Sequence, residues 1–562
     1  MKKRYKTTYM FIQAVIIGVI TAMAAIAFRS LIAFFQSGFF NTGQNVLFFM
    51  GKYYVIVIPA IGGLIVGLLI KYYAPEAKGH GVPEVMNAVA NLGGRIRPRI
   101  VLIKALASSI CIGSGGSVGR EGPIVQIGSA IGSTLGQYLN LTHKQIKNLV
   151  ACGAAAGIAA TFNAPIAGVI FAMEVILRDF NRFSFGIVVI SSVVASSISR
   201  AYYGNVPAFK IIPYALHHYS ELVLYLVLGV VCGITALLFV KTLSKSEDLF
   251  KHFKVPELSK PVLGGLLIGS IGLFFPHIFG VGYETMEKVL SGLLSLKVIL
   301  FLIFIKIIAT SITIGSGGSG GVFAPSLFIG AMTGGTLGKV FEVLFPKLGV
   351  ASGSYSLVGM AALFAAAAQA PMSSIIILFE LTDDYRIILP LMLSCVVSTV
   401  IYHHFNKESI YTEKLTARGI HIPAAGEINY FDSIAVRDAM IEKVDAVLET
   451  GSLEDVQKKI KDTGHKGFPV VNSNDDLLGM ITQEDIKDKP LDAIVKDIYN
   501  RNFKYCLPDQ SLNTALEKMA TYNIGRMPVV DESNPKKMLG IITRKSLLKT
   551  YSVMKSESLA IM

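Results

Sequence analysis

Residues 104–136, KALASSICIGSGGSVGREGPIVQIGSAIGSTLG, and residues 306–338, KIIATSITIGSGGSGGVFAPSLFIGAMTGGTLG, are one sequence written twice: 18 of 33 positions are identical and no gap is needed. Each copy passes from an apolar segment into a glycine–serine loop, then a proline, then a second apolar segment. That order describes a membrane helix that breaks partway and restarts. At such a break the restarted helix turns unpaired backbone N–H groups and the positive end of its dipole into the membrane interior, where an anion can bind without a full positive charge.

The duplication extends outward. NAPIAGVIFAMEVILRDF at 163–180 pairs with QAPMSSIIILFELTDDYR at 369–386, and in each Ala-Pro is followed nine residues later by a glutamate, Glu174 or Glu380. Small-residue segments, ACGAAAGIAATF and GMAALFAAAAQ, precede them and let helix backbones approach closely. The halves lie at about 50–200 and 220–404. The copies differ most where it matters for charge: Glu121 in GREGP stands opposite Phe323 in GVFAP.

Composition fixes the class. Of 562 residues, 52% are hydrophobic and 16% charged, with a mean hydropathy of +0.56, which excludes an ordinary soluble protein. Apolar stretches near 9–35, 53–73, 184–201, 220–243, 261–280, 297–314 and 371–402 predict spans, and shorter Gly/Pro-interrupted pieces between them predict partial helices buried in protein. The basic start, MKKRYK, precedes an apolar run too long for a signal peptide, and places the N-terminus and the polar C-terminal part in the cytoplasm. The five cysteines are scattered and read as packing residues, with no metal centre. Up to residue 427 the chain holds 33 Lys and Arg against 18 Asp and Glu, while the remainder is nearly balanced at 19 against 20. That excess describes either a basic vestibule that concentrates anions or cytoplasmic loops that set topology.

Near residue 405 the chain leaves the membrane through HHFNKESIYTEKLTARG, a linker expected to be helical at about 405–420. From 428 a smaller pattern occurs twice, GHKGFPVVNSNDDLLGMITQEDI at 464–486 and NIGRMPVVDESNPKKMLGIITRKSL at 523–547. Each predicts helix, strand, turn, strand and helix. GSGGSG at 315–320 also fits a dinucleotide fingerprint, but a membrane-length apolar run precedes it and no βαβ unit surrounds it.

GREGP, GVFAP, GHGVP at 79–83 and SIYTEKLTARG around Tyr411, in that company, resemble the CLC family of chloride channels and chloride/proton exchangers, and the C-terminal pattern resembles a CBS pair. The resemblance implies an all-α polytopic domain of two inverted repeats over 1–427, followed by α/β CBS domains at 428–490 and 491–562. It implies a homodimer with one anion path per subunit, in a bacterial inner membrane, with chloride as substrate, protons as possible partners, and neither enzymatic activity nor nucleic acid.

By the same resemblance, N–H groups of Val322 and Phe323 would hold a central anion and those of Arg120, Glu121 and Gly122 an outer one, with His80, Gly81 and Tyr411 completing the path. An ionised Glu121 would act as a tethered anion that blocks the path until protonated, so anion and proton occupancy are linked; the bland alternative is a solvated glutamate at a helix start. Tyr411 is otherwise an interfacial tyrosine. His80 stands where the family usually has serine or proline: its ring N–H donates to the anion, or it turns away and the backbone binds.

Val175 stands where bacterial exchangers carry an inner glutamate, and predicts a gated chloride channel or a weakly coupled path; the alternative is a chloride/proton antiporter. A more distant one, a CBS-regulated divalent-cation transporter, would need Glu121, Glu174, Asp179 and Glu380 as oxygen ligands. In the CBS pair, Thr482 and Asp485 fit an adenine-nucleotide site for ATP, ADP or AMP, whereas Thr543 with Ser546 does not; a purely structural pair is the other reading.

Overall fold

The doubled sequence folds as a doubled helical pattern. The computed structural model describes residues 2–204, 219–382, 384–420, 422, 431, 434–550 and 552, with side chains from residue 8. The basic side chains of MKKRYK and the join expected at 427–428 lie outside the described residues. Two compact units are present, Met1–Gly426 and Glu427–Met562.

In the first unit, α1 (Lys2–Ser37), α2 (Tyr54–Tyr72), α3 (Val82–Asn91), α4 (Ile100–Gly113), α5 (Glu121–Tyr138), α6 (His143–Phe162), α7 (Pro165–Phe171) and α8 (Arg182–Tyr203) form one half, which takes in α1 and so starts well before the residue 50 expected from sequence. The second half matches it helix for helix: α9 (Glu221–His252), α10 (Ser259–Phe274), α11 (Tyr283–Leu290), α12 (Leu296–Gly315), α13 (Phe323–Leu344), α14 (Ser352–Ala368), α15 (Pro371–Thr382) and α16 (Ile388–Phe405). A short α17 (Thr412–Thr416) follows. The helices expected to break do so at the glycine–serine loops, between α4 and α5 and between α12 and α13.

Among the described residues seven helical stretches are long and apolar enough to cross a bilayer, including Phe323–Leu344, which the sequence presents only as a restarted piece. Two expected spans are shorter. The run at 261–280 ends as a helix at Phe274, before Pro276 opens a separate turn, and the run at 371–402 divides around Asp384, whose carboxylate accepts from the Arg386 N–H at 3.0 Å. Every residue of α14 is buried, as its all-round apolar surface requires. The helix pairs α5–α6 and α13–α14 touch through equivalent glycines. Gly128 lies against the Gly153 carbonyl and Gly330 against that of Gly359, so closely that a Cβ at either would clash.

In the second unit, β1 (Val447–Leu448), β2 (Gly467–Val471) and β3 (Leu477–Thr482) form a sheet in that order, β1 parallel and β3 antiparallel to β2. Antiparallel β4 (Arg526–Val530) and β5 (Met538–Thr543) repeat the hairpin, and α18 (Leu453–Thr463) and α19 (Leu512–Thr521) precede each. The helix expected after β3 does not form. Residues 483–489 make turns, with Asp488 left-handed at φ 63° and Pro490 closing the segment, while residues 544–550 of the second copy are helical.

Candidate anion site between two facing helix starts

The two glycine–serine loops meet at equivalent residues. Gly119 N–H donates to the Gly321 carbonyl at 2.7 Å and Gly321 N–H returns the bond at 2.6 Å, an antiparallel exchange that local two-fold symmetry produces. Immediately beyond, α5 starts at Glu121 after Arg120 and α13 starts at Phe323 after Val322. Gly321 and Gly122 are packed backbone to backbone, since a Cβ on Gly321 would stand 2.7 Å from the Gly122 nitrogen. Two helix N-termini therefore converge, each with first-turn N–H groups that have no intrahelical acceptor.

GHGVP packs onto this junction. Gly79 N–H donates to Gly318 O at 3.0 Å, and a buried lysine, Lys104, donates to Ala77 O and Gly79 O at 2.9 and 2.7 Å. Gly81, at φ 84°, lies so near Gln126 that a Cβ would come within 2.8 Å of its Oε1. The second half contains the counterpart, which sequence reading misses: Gly280, Val281, Gly282 and Tyr283, with positive φ at both glycines and buried Lys306 donating to Ile278 O and Gly280 O at 3.0 and 3.1 Å. The available signal was a Gly-x-Gly with a lysine 25 residues on in one half and 26 in the other.

Glu121 is 1% exposed, which excludes the solvated-glutamate alternative. Tyr283 Oη donates to its Oε1 at 2.6 Å, and Arg120 Nε stands 4.0 Å from the same oxygen. The other oxygen, Oε2, has no protein partner among the described residues and lies against Gly119, where a Cβ would strike it. The Arg120 guanidinium sits 5.1 Å from the Tyr283 ring centroid. Phe323 packs between Phe162 and Phe364, with ring centroids at 5.2 and 4.2 Å.

Tyr411 is buried, not interfacial, and its neighbour Ile410 is tied by N–H to Ala367 O at 2.8 Å. His80 is 1% exposed with its ring centroid 6.0 Å from that of Tyr411, and its Nδ1 has no protein partner among the described residues. The backbone beside that ring also faces the junction: the His80 carbonyl packs on Gly122. Of the eight residues expected around an anion, Arg120, Glu121, Gly122, Val322 and Phe323 stand at the two facing helix starts, His80 and Gly81 pack on the first turn of α5, and Tyr411 lies beside His80. A cavity of about 210 Å³ begins at Gly79, lined by Lys78, Lys251, Lys260, Lys414 and Arg418 against Glu247 and Glu257. Part of the basic excess therefore lines a chamber next to the site.

The other acidic residues are committed elsewhere. Glu174 accepts from Met372 N, Ser373 N and Ser373 Oγ at 3.2, 2.7 and 2.6 Å, closing the start of α15, and Glu380 accepts from Ile166 N and Ala167 N at 3.0 and 2.7 Å, closing the start of α7. Each half's glutamate caps the other half's Ala-Pro helix. Val175 is buried on the π-helical turn that follows α7. Asp179 is exposed, and among the described residues no three His, Cys, Asp or Glu side chains gather as a metal site needs. In the second unit Thr482 N and Oγ1 both donate to Asp485 Oδ2, at 2.8 and 2.6 Å; at the matching position Thr543 is met by the Ser546 hydroxyl.

A family model for voltage gated chloride channels matches residues 62–403, and one for CBS domains matches 436–492 and 495–553. The chain is 32% identical over 412 residues to a Ralstonia nicotianae protein named as a ClcB-like chloride channel protein, covering 71% of this chain and 95% of that one. It is 30% identical over 410 residues to the H(+)/Cl(-) exchange transporter ClcA of Salmonella arizonae, covering 71% and 87%. The crystal structure of a slow cyanobacterial Cl-/H+ antiporter superposes with a TM-score of 0.68 at 25% identity, covering 75% of this chain and 99% of that one. That of a eukaryotic CLC transporter, at 21% identity and a TM-score of 0.66, shares the fold over 96% of this chain.

Proposed function

This chain belongs to the voltage-gated chloride channel (CLC) family of anion transporters, and from that premise we propose that it exchanges chloride for protons across a bacterial inner membrane. The observation that carries the reading is Glu121: a buried carboxylate at the start of α5, held by a phenol against a glycine loop, where it competes with chloride for the N–H groups of two facing helices. Ionised, it occupies the path as a tethered anion. Protonated, it loses that competition, so one group controls anion passage and carries the proton. The N–H groups of Val322 and Phe323 bind the central anion, those of Arg120, Glu121 and Gly122 the outer one, and the loop at His80 and Gly81 with Tyr411 borders the path on the side of the cation-lined cavity.

The names of the relatives support exchange better than the channel expected from Val175. That channel remains the second reading, favoured by the absence of a free carboxylate on the turn carrying Glu174 and Val175. The divalent-cation alternative lacks support: its four carboxylates lie apart, three with partners of their own. In the proposed arrangement two copies pair, each with its own path, the N-terminus and CBS pair are cytoplasmic, and Thr482 and Asp485 take the ribose end of an adenine nucleotide. The deciding measurement is reversal potential in lipid bilayers under combined chloride and pH gradients. Exchange displaces it from the chloride equilibrium value as the pH gradient changes; a value fixed by chloride alone gives the channel, and one set by potassium overturns anion transport.

A further inference from the structure

The contact between Glu121 and Tyr283 joins residues 162 positions apart in sequence, one from each half. Applying the two-fold correspondence to both partners gives Phe323 for Glu121 and Val82 for Tyr283, a pair with no polar atom in either side chain. The near-symmetric junction is thus broken twice at one contact, by an acid and by the phenol that meets it. A scaffold bond has no reason to be confined to the half that carries the gate. Lys104 and Lys306, which pin the two Gly-x-Gly loops, are repeated in both.

We propose that Tyr283 is the latch of this gate, a positioning residue whose hydroxyl holds the ionised Glu121 carboxylate in the anion path, so that opening requires release of this hydrogen bond as well as protonation. The proposal rests on the transport reading above. At 2.6 Å the bond lies in the range of charge-assisted O–H···O⁻ contacts, and Tyr283 is the one side chain among the described residues within hydrogen-bond distance of Glu121. Arg120, at 4.0 Å, adds charge without gripping the carboxylate.

The phenol itself is held firmly. It opens α11 directly after Gly282, where a Cβ would come within 2.8 Å of Phe328, and Lys306 pins the preceding loop by two carbonyls. The charged and titratable groups that face the pair are Arg120 on the α5 start, Arg29 of α1, which also stacks 4.2 Å over Tyr203 of α8, and Tyr411, with Lys306 of α12 pinning the loop before Tyr283 and His80 and Lys104 on the GHGVP side of the site. Of these only Arg120, which the phenol oxygen also meets, loses a contact when the hydroxyl alone is removed.

An O–H donor stabilises the ionised carboxylate more than the neutral one, so its loss moves gate protonation to higher pH. The test is Tyr283→Phe, which keeps the ring under Arg120, made in the full chain and again in a Glu121→Ala background. Chloride efflux from liposomes is followed against pH, and in parallel the infrared carboxyl band that Glu121→Gln removes is titrated. The expected result is an upward shift of both midpoints by about one unit, with flux at neutral pH rising on the order of tenfold. In the Glu121→Ala background, where no acceptor is left for the phenol, Tyr283→Phe leaves the flux unchanged. Fluorotyrosine at 283, a stronger donor of nearly the same shape, shifts both midpoints the other way and covers the case in which Tyr283→Phe misfolds. Unmoved midpoints, or an equal flux change without Glu121, overturn the latch. A wild-type chain that passes no anion overturns the transport reading, while the infrared titration still reads the latch.

Discussion

Because Val175 removes the expected inner carboxylate, its neighbour Glu174 is the obvious substitute proton carrier, and Glu174→Gln decides whether it is one. In the structure both Glu174 oxygens are engaged by the first turn of α15, through Met372 N, Ser373 N and Ser373 Oγ. A glutamine keeps one acceptor but must turn its NH₂ toward one of the two backbone N–H groups, leaving a first-turn donor unpaired at a cost of about 1–3 kcal/mol. Loss of the negative charge beside the helix start removes roughly another 0.3–1 kcal/mol. The sum predicts a lower melting temperature, on the order of 5 °C, with an unchanged chloride-to-proton ratio. Glu380→Gln is the internal control, because it uncaps Ile166 and Ala167 of α7 in the same way and should cost a similar amount. Purified variants would be melted in detergent and then assayed in liposomes for proton uptake driven by a chloride gradient. A Glu174→Gln protein that melts like wild type but no longer moves protons would refute the capping assignment.

Glu121→Gln should flatten the pH dependence of chloride flux, whose limiting slope with one gating proton is about tenfold per pH unit, and abolish proton movement; a retained slope in liposome efflux would place the gate elsewhere. Lys306→Met removes donors from Ile278 O and Gly280 O and should destabilise the fold by about 2 kcal/mol, while loosening the loop that carries Tyr283, so that the flux midpoint moves in the direction of Tyr283→Phe but less far. Asp485→Ala removes the acceptor that orders Thr482 and should eliminate any heat of ATP, ADP or AMP binding in calorimetry; heat that survives the substitution would put the nucleotide at another position.

The helix breaks were legible because a break is a local event. Glycine and serine followed by proline stop one helix and start another whatever surrounds them, so Glu121 and Phe323 could be placed at helix starts from sequence. The roles of Glu174 and Glu380 are half legible: a glutamate repeated in both halves points to scaffold, since Glu121 has no acidic counterpart, but the cap each provides crosses between halves and needs coordinates. Lengths were less secure. Apolar composition does not separate a spanning helix from one buried in protein, which is why 261–280 and 371–402 read too long.

Tyr283 was invisible for a different reason. Its string, GVGYE, shares with GHGVP only the two glycines that adopt positive φ, and nothing in the line of sequence indicates that its hydroxyl reaches Glu121. The contact exists because the two-fold relation brings the second half's Gly-x-Gly loop to the start of α5, just as it brings the first half's loop toward α13. One symmetry therefore accounts for both what could and what could not be read: it repeats the scaffold, lysines, glycines and helix caps, and so reveals itself as duplication. Function enters where the repeat fails. Glu121 against Phe323 is a failure visible in an ungapped alignment, and Tyr283 against Val82 is one that only the aligned backbones expose, which makes departures between the halves the most direct guide to the residues of the proposed gate.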